Sequence, residues 1–288
     1  MNIDINKLNI KRMSGAGNLF SVMMIEDLPS DIDMPELARA ICNIEFNNDN
    51  NNNNDEHNPF KSEGIIVIAP AKNENTDFDV QFYNPDGSSG MMCGNGGRVA
   101  VRFALDKAYK ANHHKFSMAG NLYEYELHED KIKLFFSPPS QFSPNIDIEI
   151  NENLVFIGDF VNTGTNHYII NYDDFTEELG DDFRKFDINK IAPDIRNHSE
   201  FAPVGTNVNF FQIDGNTVRL RTYEKGVEAE TGACGTGAIA TAISLLWKKD
   251  LPPPITIIPP SGEALIVDFK FNGLLLNKVT LEGPATYI

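Results

Sequence analysis

Short apolar runs recur along the whole chain in patterns that are typical of β-strands. The clearest are GIIVIAP, FDVQFY, KIKLFF, HYIINY, NVNFFQI, TVRLRTY, ITIIPP and EALIVDF. Apolar residues spaced by three or four positions predict two helices, RVAVRFALDKAYKA and TGAIATAISLLWKK, and more weakly two others, PELARAICNI and DINKIAPDIRN. The hydrophobic pattern therefore predicts a mixed α/β (α+β) fold in which strands predominate.

The two clear helices each follow a cysteine and a glycine-rich turn, at Cys93 and at Cys234, which lie 141 residues apart. In each half, a strand ends in a polar residue, Asn84 or Glu224, and a polar loop leads from there to Cys-Gly-X-Gly and the helix. A duplicated unit accounts for these correspondences. A twofold arrangement of the two copies would bring the helix starts face to face.

The division between the copies is predicted near SPPSQFSP, residues 137–144, because prolines interrupt strand pairing. It gives an N-terminal half, residues 1–138, joined by the C-terminal strand 278–288, and a C-terminal half, residues 139–277. The tract 47–58, NNDNNNNNDEHN, is too polar to pack into a core, and we interpret it as a surface loop.

Composition narrows the classes of function. The formal net charge of -17 argues against nucleic acids and anionic membranes as partners, because these need clustered Lys and Arg. No secretory signal is visible at the N-terminus, and the longest apolar run is too short to span a bilayer. Three cysteines without metal-type spacing fit a reducing compartment, so we expect a cytoplasmic protein.

The glycines that follow Cys93 and Cys234 allow a ligand to approach the backbone, and each helix start directs unpaired N–H groups to the same spot. Such a position is expected to lower the pKa of a thiol and to bind a carboxylate. Cys42 differs, because it lies inside the apolar pattern LARAICNI and is interpreted as a buried core residue.

Two thiols in matching settings favour one type of reaction. A cysteine protease needs one thiol with a histidine, and a thioredoxin-like site needs closely spaced Cys-X-X-Cys, which this sequence lacks. Two thiols on opposite sides of a carbon can instead racemise or epimerise it without a cofactor, one removing a proton and the other returning one. Backbone donors from Gly94, Asn95, Gly235 and Thr236 would hold the carboxylate as it gains charge.

Motifs along nearly the whole chain resemble the diaminopimelate epimerase family. They are KRMSGAGNLF, FYNPDGSSGMMCGNGGR, YEKGVEAETGACGTGA, and PPSGEALIVDF with VTLEGPA. The related proline racemases and hydroxyproline epimerases typically have His where this chain has Asn95. The resemblance implies two similar halves, each a barrel-like, mostly antiparallel sheet wrapped around a central helix, with the active site in the cleft between them. It also implies interconversion of L,L- and meso-diaminopimelate for lysine and peptidoglycan synthesis, with no metal or other cofactor.

The resemblance also implies roles for single residues. Cys93 and Cys234 match the catalytic acid/base pair, Glu224 the carboxylate that contacts the reacting ammonium, and His167 a histidine beside the cysteines. Three asparagines match residues that hold the distal amino and carboxylate groups. The complete set of expected substrate-binding residues is Asn18, Asn84, Gly94, Asn95, Thr165, His167, Asn207, Glu224, Lys225, Gly235 and Thr236.

Some positions depart from the family pattern. Lys225 stands where the family usually has Arg, which removes the bidentate fork toward a carboxylate. Thr165 and Asn166 replace the usual pair before the histidine, and the 60–64 loop keeps only Glu63-Gly64 of a Gly-Asp-Gly stretch. Two alternatives therefore stay open: a racemase or epimerase of another amino acid, and a non-catalytic binding protein on the same fold. The sequence leaves the oligomeric state open, with a homodimer as one option.

Overall fold

The computed structural model describes residues 5–42, 62–89, 92–107 and 109–288. The chain divides into two compact units: unit 1 comprises Met1–Leu134 with Pro284–Ile288, and unit 2 comprises Phe135–Gly283. The tract 47–58 lies outside the described residues. Among the described helices, none combines the length and the apolar character that a membrane span requires.

Strands make up most of the secondary structure. In chain order they are β1 (Lys11–Gly15), β2 (Asn18–Met24), β3 (Ile65–Pro70), β4 (Phe78–Tyr83), β5 (Lys115–Met118), β6 (Asn121–His128), β7 (Lys131–Phe136), β8 (Gln141–Asn151), β9 (Leu154–Asn162), β10 (Asn166–Asn171), β11 (Asn207–Asp214), β12 (Thr217–Glu224), β13 (Ala229–Glu230), β14 (Ile255–Ile258), β15 (Leu265–Asn272), β16 (Leu275–Pro284) and β17 (Thr286–Tyr287). The helices are α1 (Met34–Cys42), α2 (Gly94–Asp106), α3 (Thr176–Leu179), α4 (Ile188–Arg196) and α5 (Gly235–Lys248).

Unit 1 is a mixed sheet that packs against α2. Its strands pair in the order β17, β1, β2, β3, β4, β5, β6, and only the β2–β3 and β4–β5 pairs are parallel. The helix α2 contacts β1 to β4 and is buried along most of its length, including Val99, Val101 and Phe103. Helix α1 buries Ile41 and Cys42 in a separate cluster with β2 and β3, so Cys42 is the core residue that the sequence predicted.

Unit 2 repeats this plan. Its strands pair in the order β8, β9, β10, β11, β12, β14, β15, β16, and only the β10–β11 and β12–β14 pairs are parallel. Helix α5 contacts β9, β10, β11, β14 and β15. The outer side carries an aromatic cluster that includes Phe156, Tyr172 and Phe210, against which α4 packs through Ile188 and Ile195.

The matching strand orders confirm the prediction of two similar α/β halves, each a mostly antiparallel sheet around one helix. In unit 1 the strands β1 to β6, and in unit 2 the strands β9 to β12, β14 and β15, form the same series of neighbouring pairs. In each series the pairs are antiparallel, parallel, antiparallel, parallel and antiparallel. Within each unit, the described strands do not close into a full barrel.

Two details of the sequence interpretation were wrong. The expectation that prolines interrupt strand pairing throughout residues 137–144 was too broad, because β8 begins at Gln141. Pro144 is accommodated because the β8–β9 register shifts between Ser143 and Ile146, where no ladder hydrogen bond is required of it. The prediction that a helix occupies residues 98–111 also missed the first turn of α2 and extended too far. Helix α2 begins at Gly94, since tertiary burial outweighs the cost of about 1 kcal/mol for each glycine in its first turn.

Candidate active site

In unit 1, Cys93 is the N-cap residue of α2. Its backbone is extended (φ -109°, ψ 111°), and its Sγ accepts a hydrogen bond from the Gly96 amide at 3.3 Å. The side chain is half-buried, at the positive end of the helix. The thiol therefore lies where backbone donors stabilise negative charge, as the glycine motif predicted.

Beneath this turn, Asn95 is held by a buried arginine that sequence reasoning did not select. Arg98 is 0% exposed and donates from Nη2 to Asn95 Oδ1 at 2.7 Å and from Nη1 to the Gly94 carbonyl at 3.4 Å. This contact fixes which end of the Asn95 amide is oxygen, because a guanidinium only donates. A charged residue in the first turn after a glycine motif is the signal that could have identified Arg98.

Asn18 and Asn84 lie in turns of unit 1. Asn18 begins β2 and is 6% exposed, directly after a tight turn in which Ala16 and Gly17 have positive φ. A Cβ built at Gly15 would lie 2.6 Å from the Asn95 carbonyl oxygen, so this hairpin packs tightly on the first turn of α2. Asn84 follows β4 and donates from Nδ2 to Ser88 Oγ at 2.9 Å, which leaves Oδ1 as the atom able to accept from an ammonium group.

The described part of the 60–64 loop packs against β2 and β4. Glu63 donates its amide hydrogen to the Leu19 carbonyl at 2.8 Å, and Ser62 Oγ lies 2.5 Å from Ser21 Oγ. A Cβ at Gly64 would lie 2.6 Å from the Phe82 ring. Close packing therefore accounts for this glycine without a role in binding.

In unit 2, Cys234 is the N-cap residue of α5, with nearly the same backbone as Cys93 (φ -116°, ψ 107°). It is 6% exposed, and its Sγ lies 3.6 Å from Thr236 Oγ1. Burial raises the pKa of the Cys234 thiol well above its usual value, and the Glu224 carboxylate raises it further. The expectation of a lowered thiol pKa is thus wrong for Cys234, because burial and a nearby carboxylate outweigh the helix end.

Glu224 faces this thiol. It ends β12 and accepts hydrogen bonds from the Thr231 hydroxyl and from Cys234. Burial raises the pKa of the Glu224 carboxyl, while these two hydrogen bonds oppose the rise. Glu224 and Cys234 therefore form a coupled pair in which the thiol keeps its proton and donates it to the carboxylate.

His167 is fully buried on β10, a strand that contacts α5. Its Nδ1 lies 3.1 Å from Asn209 Nδ2, and Asn209 Oδ1 accepts from Thr222 Oγ1 at 3.0 Å. Burial lowers the pKa of His167 to about 3, so the ring is neutral at physiological pH. Neither Asn209 nor Thr222 was predicted from the sequence, because their strand positions alone look like ordinary sheet residues.

The remaining expected residues of unit 2 meet at the start of β11. Asn207 donates from Nδ2 to the Asn166 carbonyl at 2.8 Å and to Thr165 Oγ1 at 3.3 Å, and its Oδ1 accepts from the Lys225 amide at 2.8 Å. Its amide is therefore engaged in holding the segments of Thr165 and Lys225 together. Because Thr165 Oγ1 accepts from Asn207, its own hydrogen can be donated to a substrate oxygen.

Comparison with known proteins places this geometry in a family. The family model described as diaminopimelate epimerase matches residues 12–137, which carry Cys93, and 160–286, which carry Cys234. The diaminopimelate epimerase of Aquifex aeolicus is 38% identical, over 94% of this chain and 92% of that protein. That of Hydrogenobaculum is 35% identical, over 97% of this chain and 96% of that protein.

Solved structures with little sequence identity share the fold. A phenazine biosynthesis protein of the PhzF family from Bacillus anthracis superposes with a TM-score of 0.67 at 12% identity, covering 98% of this chain and 97% of that one. A probable proline racemase from Agrobacterium radiobacter, solved with bound carbonate, gives a TM-score of 0.65 at 14% identity, covering 97% and 90%. The sequence matches are closer and extend over nearly the whole length, and on that basis the chain belongs to the diaminopimelate epimerase family.

Proposed function

We propose that this protein is an isomerase that epimerises L,L-diaminopimelate to meso-diaminopimelate, with Cys93 and Cys234 as the acid and base. The observation that carries the proposal is the repeated cysteine N-cap, with nearly equal backbone angles, at the start of two glycine-rich helices in a member of this family. Family membership supports diaminopimelate as the substrate, and the two cysteines at the helix starts support proton transfer as the reaction.

The chemical difficulty is the weak acidity of a proton next to a carboxylate. Amide groups at a helix start, such as those of Gly94 and Gly235, can hold the carboxylate oxygens while they gain enolate character. One such preorganised donor typically lowers the barrier by about 3 kcal/mol, so several together are required for a useful rate.

The protonation state of Cys234 indicates which thiol acts as the acid and which as the base at the start of the reaction. The raised pKa of Cys234 and its hydrogen bond to Glu224 keep that group a thiol, so it begins as the acid. The Cys93 thiolate then removes the α proton while the Cys234 S–H bond breaks and delivers a proton to the opposite face. After turnover Cys93 is a thiol and Cys234 a thiolate, and the reverse reaction starts from that state.

The rest of the substrate would bind through the polar groups described above. Asn84 Oδ1 can accept from an ammonium, whereas the Thr165 hydroxyl and the Lys225 ammonium can donate to a carboxylate. Glu224 can accept from the ammonium at the reacting carbon. These groups match a substrate that is zwitterionic at both ends.

The direct test is isotope incorporation. Incubation of the enzyme with L,L-diaminopimelate in deuterated water should give meso product that carries deuterium at the inverted carbon, because the returning proton comes from a thiol that exchanges with solvent. Product without deuterium would exclude the two-base mechanism. The Cys42→Ala variant, altered at a buried cysteine of α1, is the matched control and should behave as the wild type.

One observation favours a second candidate function, the racemisation of another amino acid. Lys225 offers a single point charge where an arginine would offer a bidentate fork, which relaxes recognition of a distal carboxylate. A panel of amino acids, scored by chiral chromatography, separates the two functions. If diaminopimelate stays unchanged while a shorter amino acid racemises, the second function replaces the first.

A further inference from the structure

Three buried polar side chains form a connected group in unit 2, which we name the polar triad: His167, Asn209 and Thr222. Both His167 and Asn209 are 0% exposed, and Thr222 is 2% exposed. Asn209 and Thr222 are directly paired across β11 and β12. A Cβ built at Gly237 would lie 2.5 Å from Asn209 Oδ1, so the triad lies directly beneath the first turn of α5, which begins after Cys234.

The hydrogen bonds around Asn209 fix the direction of its amide. Its nitrogen faces two backbone carbonyls, of Tyr168 at 3.3 Å and Asn207 at 3.5 Å, while its oxygen accepts from Thr222. An amide nitrogen only donates, so in its 3.1 Å contact with His167 Nδ1 the imidazole nitrogen is the acceptor. Because Nδ1 accepts, the proton of the neutral imidazole resides on Nε2.

Unit 1 shows that the fold does not require these polar residues. At the corresponding register positions of its strands lie Phe20, Ile66 and Phe82, and Phe82 pairs with Ile66 as Thr222 pairs with Asn209. There the first turn of α2 packs on Ile66, whose Cδ1 would lie 3.4 Å from a Cβ at Gly96. An apolar triad thus supports one helix start and a polar triad the other, and burying polar groups is the costlier arrangement.

We propose that Asn209 is a positioning residue that locks His167 in the Nε2–H tautomer, so that His167 acts as a hydrogen-bond donor to an anionic acceptor and not as a proton shuttle. The proposal rests on the proposed function for its anion, which is either an oxygen of the reacting carboxylate or a cysteine thiolate. Neither Asn209 nor Thr222 contacts the substrate in this role, and both act through His167.

Two further observations agree with a donor role. His167 Nε2 is buried and has no hydrogen-bond partner among the residues that the structure describes, so it is available to a group outside that set. The ring also stays neutral over the physiological range, since burial lowers its pKa to about 3. A neutral ring with Nδ1 already occupied can donate from Nε2, but it cannot take up a proton during turnover.

The tautomer can be observed directly. The chain has six histidines, so the imidazole nitrogens of protein labelled with 15N-histidine can be resolved by long-range 15N–1H correlation, and the His167→Gln variant assigns the signal. We expect a protonated Nε2 and an unprotonated Nδ1 in the wild type, unchanged between about pH 6 and pH 8. A protonated Nδ1, or a signal that titrates in this range, would overturn the proposal.

Substitution should move the tautomer and the rate together. In Asn209→Asp the carboxylate accepts from Nδ1–H, so the tautomer flips, and kcat should fall about 10²- to 10³-fold with little change in KM, as for the loss of one oxyanion donor. Thr222→Val frees the Asn209 amide to rotate, so it should give a mixture of His167 tautomers and a smaller loss of kcat. Thr222→Ser keeps the hydroxyl and should retain the wild-type tautomer and the wild-type kcat. The matched control Asn171→Asp adds the same charge at the other end of β10 and should change neither the His167 tautomer nor kcat. A flipped tautomer with unchanged kcat would refute the role of His167 as donor.

The acceptor is identified in a variant that cannot turn over, Cys93→Ala with Cys234→Ala. If the Nε2–H signal shifts when L,L-diaminopimelate is added to this variant, the acceptor is the substrate carboxylate; if it shifts on the double substitution alone, the acceptor is a thiolate. If the signal shifts in neither comparison, the acceptor is not an anion and the proposal fails. Because the tautomer is measured without turnover, its result stands apart from the proposed function, which fails only if the wild type leaves diaminopimelate unchanged.

Discussion

The two helix starts of this protein share a backbone and differ in what surrounds it. Cys93 and Cys234 have φ and ψ values within a few degrees of each other, and each is followed by glycines in the first turn. Near Cys93 lies the buried cation Arg98, whereas the corresponding position of α5 is Ile239. Next to Cys234 lies Glu224, whereas β4 of unit 1 is followed by the neutral Asn84. The two helix starts therefore share a backbone geometry, while a buried cation contacts the first turn of α2 and a carboxylate contacts the thiol that precedes α5.

This difference suits a reaction that needs one thiol with a proton and one without. A nearby cation stabilises a thiolate, and a nearby carboxylate stabilises a thiol. Two identical half-sites would keep both thiols in the same protonation state, so one thiol would have to gain or lose a proton before the reaction could begin. Under the proposed function, this asymmetry would favour proton transfer in one direction before substrate binds.

The largest effect should come from removing either sulfur. Cys93→Ala and Cys234→Ala should each lower kcat about 10²- to 10⁴-fold, because each removes one of the two groups that transfer protons. Chiral chromatography of the products gives the rates. Near-normal activity of either variant would mean that the two helix starts are not partners in one reaction.

Removing the carboxylate next to Cys234 should have opposite effects on activity and on stability. Glu224→Gln should lower kcat about 100-fold, as expected for a lost electrostatic contact to the reacting group. Because burial raises the folded-state pKa of Glu224, its ionisation destabilises the fold as pH rises above the unfolded value of 4.5. The variant should therefore have a higher Tm than the wild type at pH 8 and an equal Tm below about pH 4.5, as measured by calorimetry.

Removing the cation near Cys93 should have an intermediate effect. Arg98→Met keeps most of the side-chain volume but releases the Asn95 amide, and we expect kcat/KM to fall about 10-fold, the equivalent of about 1.4 kcal/mol. Ile239→Met in α5 is the matched control, since it places the same side chain at the same position of the other helix. A similar loss of kcat/KM in both variants would indicate packing and not charge as the cause.

The smallest effect should come from the departure at Lys225. Lys225→Arg restores a bidentate donor, so KM for diaminopimelate should fall by a factor of about 3 to 10 while kcat changes little. The backbone amide of residue 225 keeps its bond to Asn207 in this variant. An unchanged KM would mean that this side chain does not reach the distal carboxylate.

Much of the fold and the positions of the two cysteines could be predicted from the sequence, because the signals for them are local. A glycine-rich turn before an amphipathic helix specifies an N-cap, and that rule located Cys93 and Cys234 in the first residues before α2 and α5. Continuous apolar runs identified strands such as β3 and β11. The alternating run of β8 was missed because prolines were expected to interrupt strand pairing there, and only the pairing with β9 shows that the register shift accommodates Pro144.

The sequence by itself determined the duplicated plan and the two cysteines at its helix starts, because hydrophobic period and turn chemistry act over a few neighbouring residues. Only the tertiary structure decided the proton state of Cys234, the hold of Arg98 on Asn95 and the pairing of Asn209 with His167. These properties depend on burial and on hydrogen bonds, and Asn209 and His167 become neighbours only when β10 and β11 pair in parallel. A titratable group responds to whatever the fold places within a few ångströms of it, and no local pattern encodes that distance.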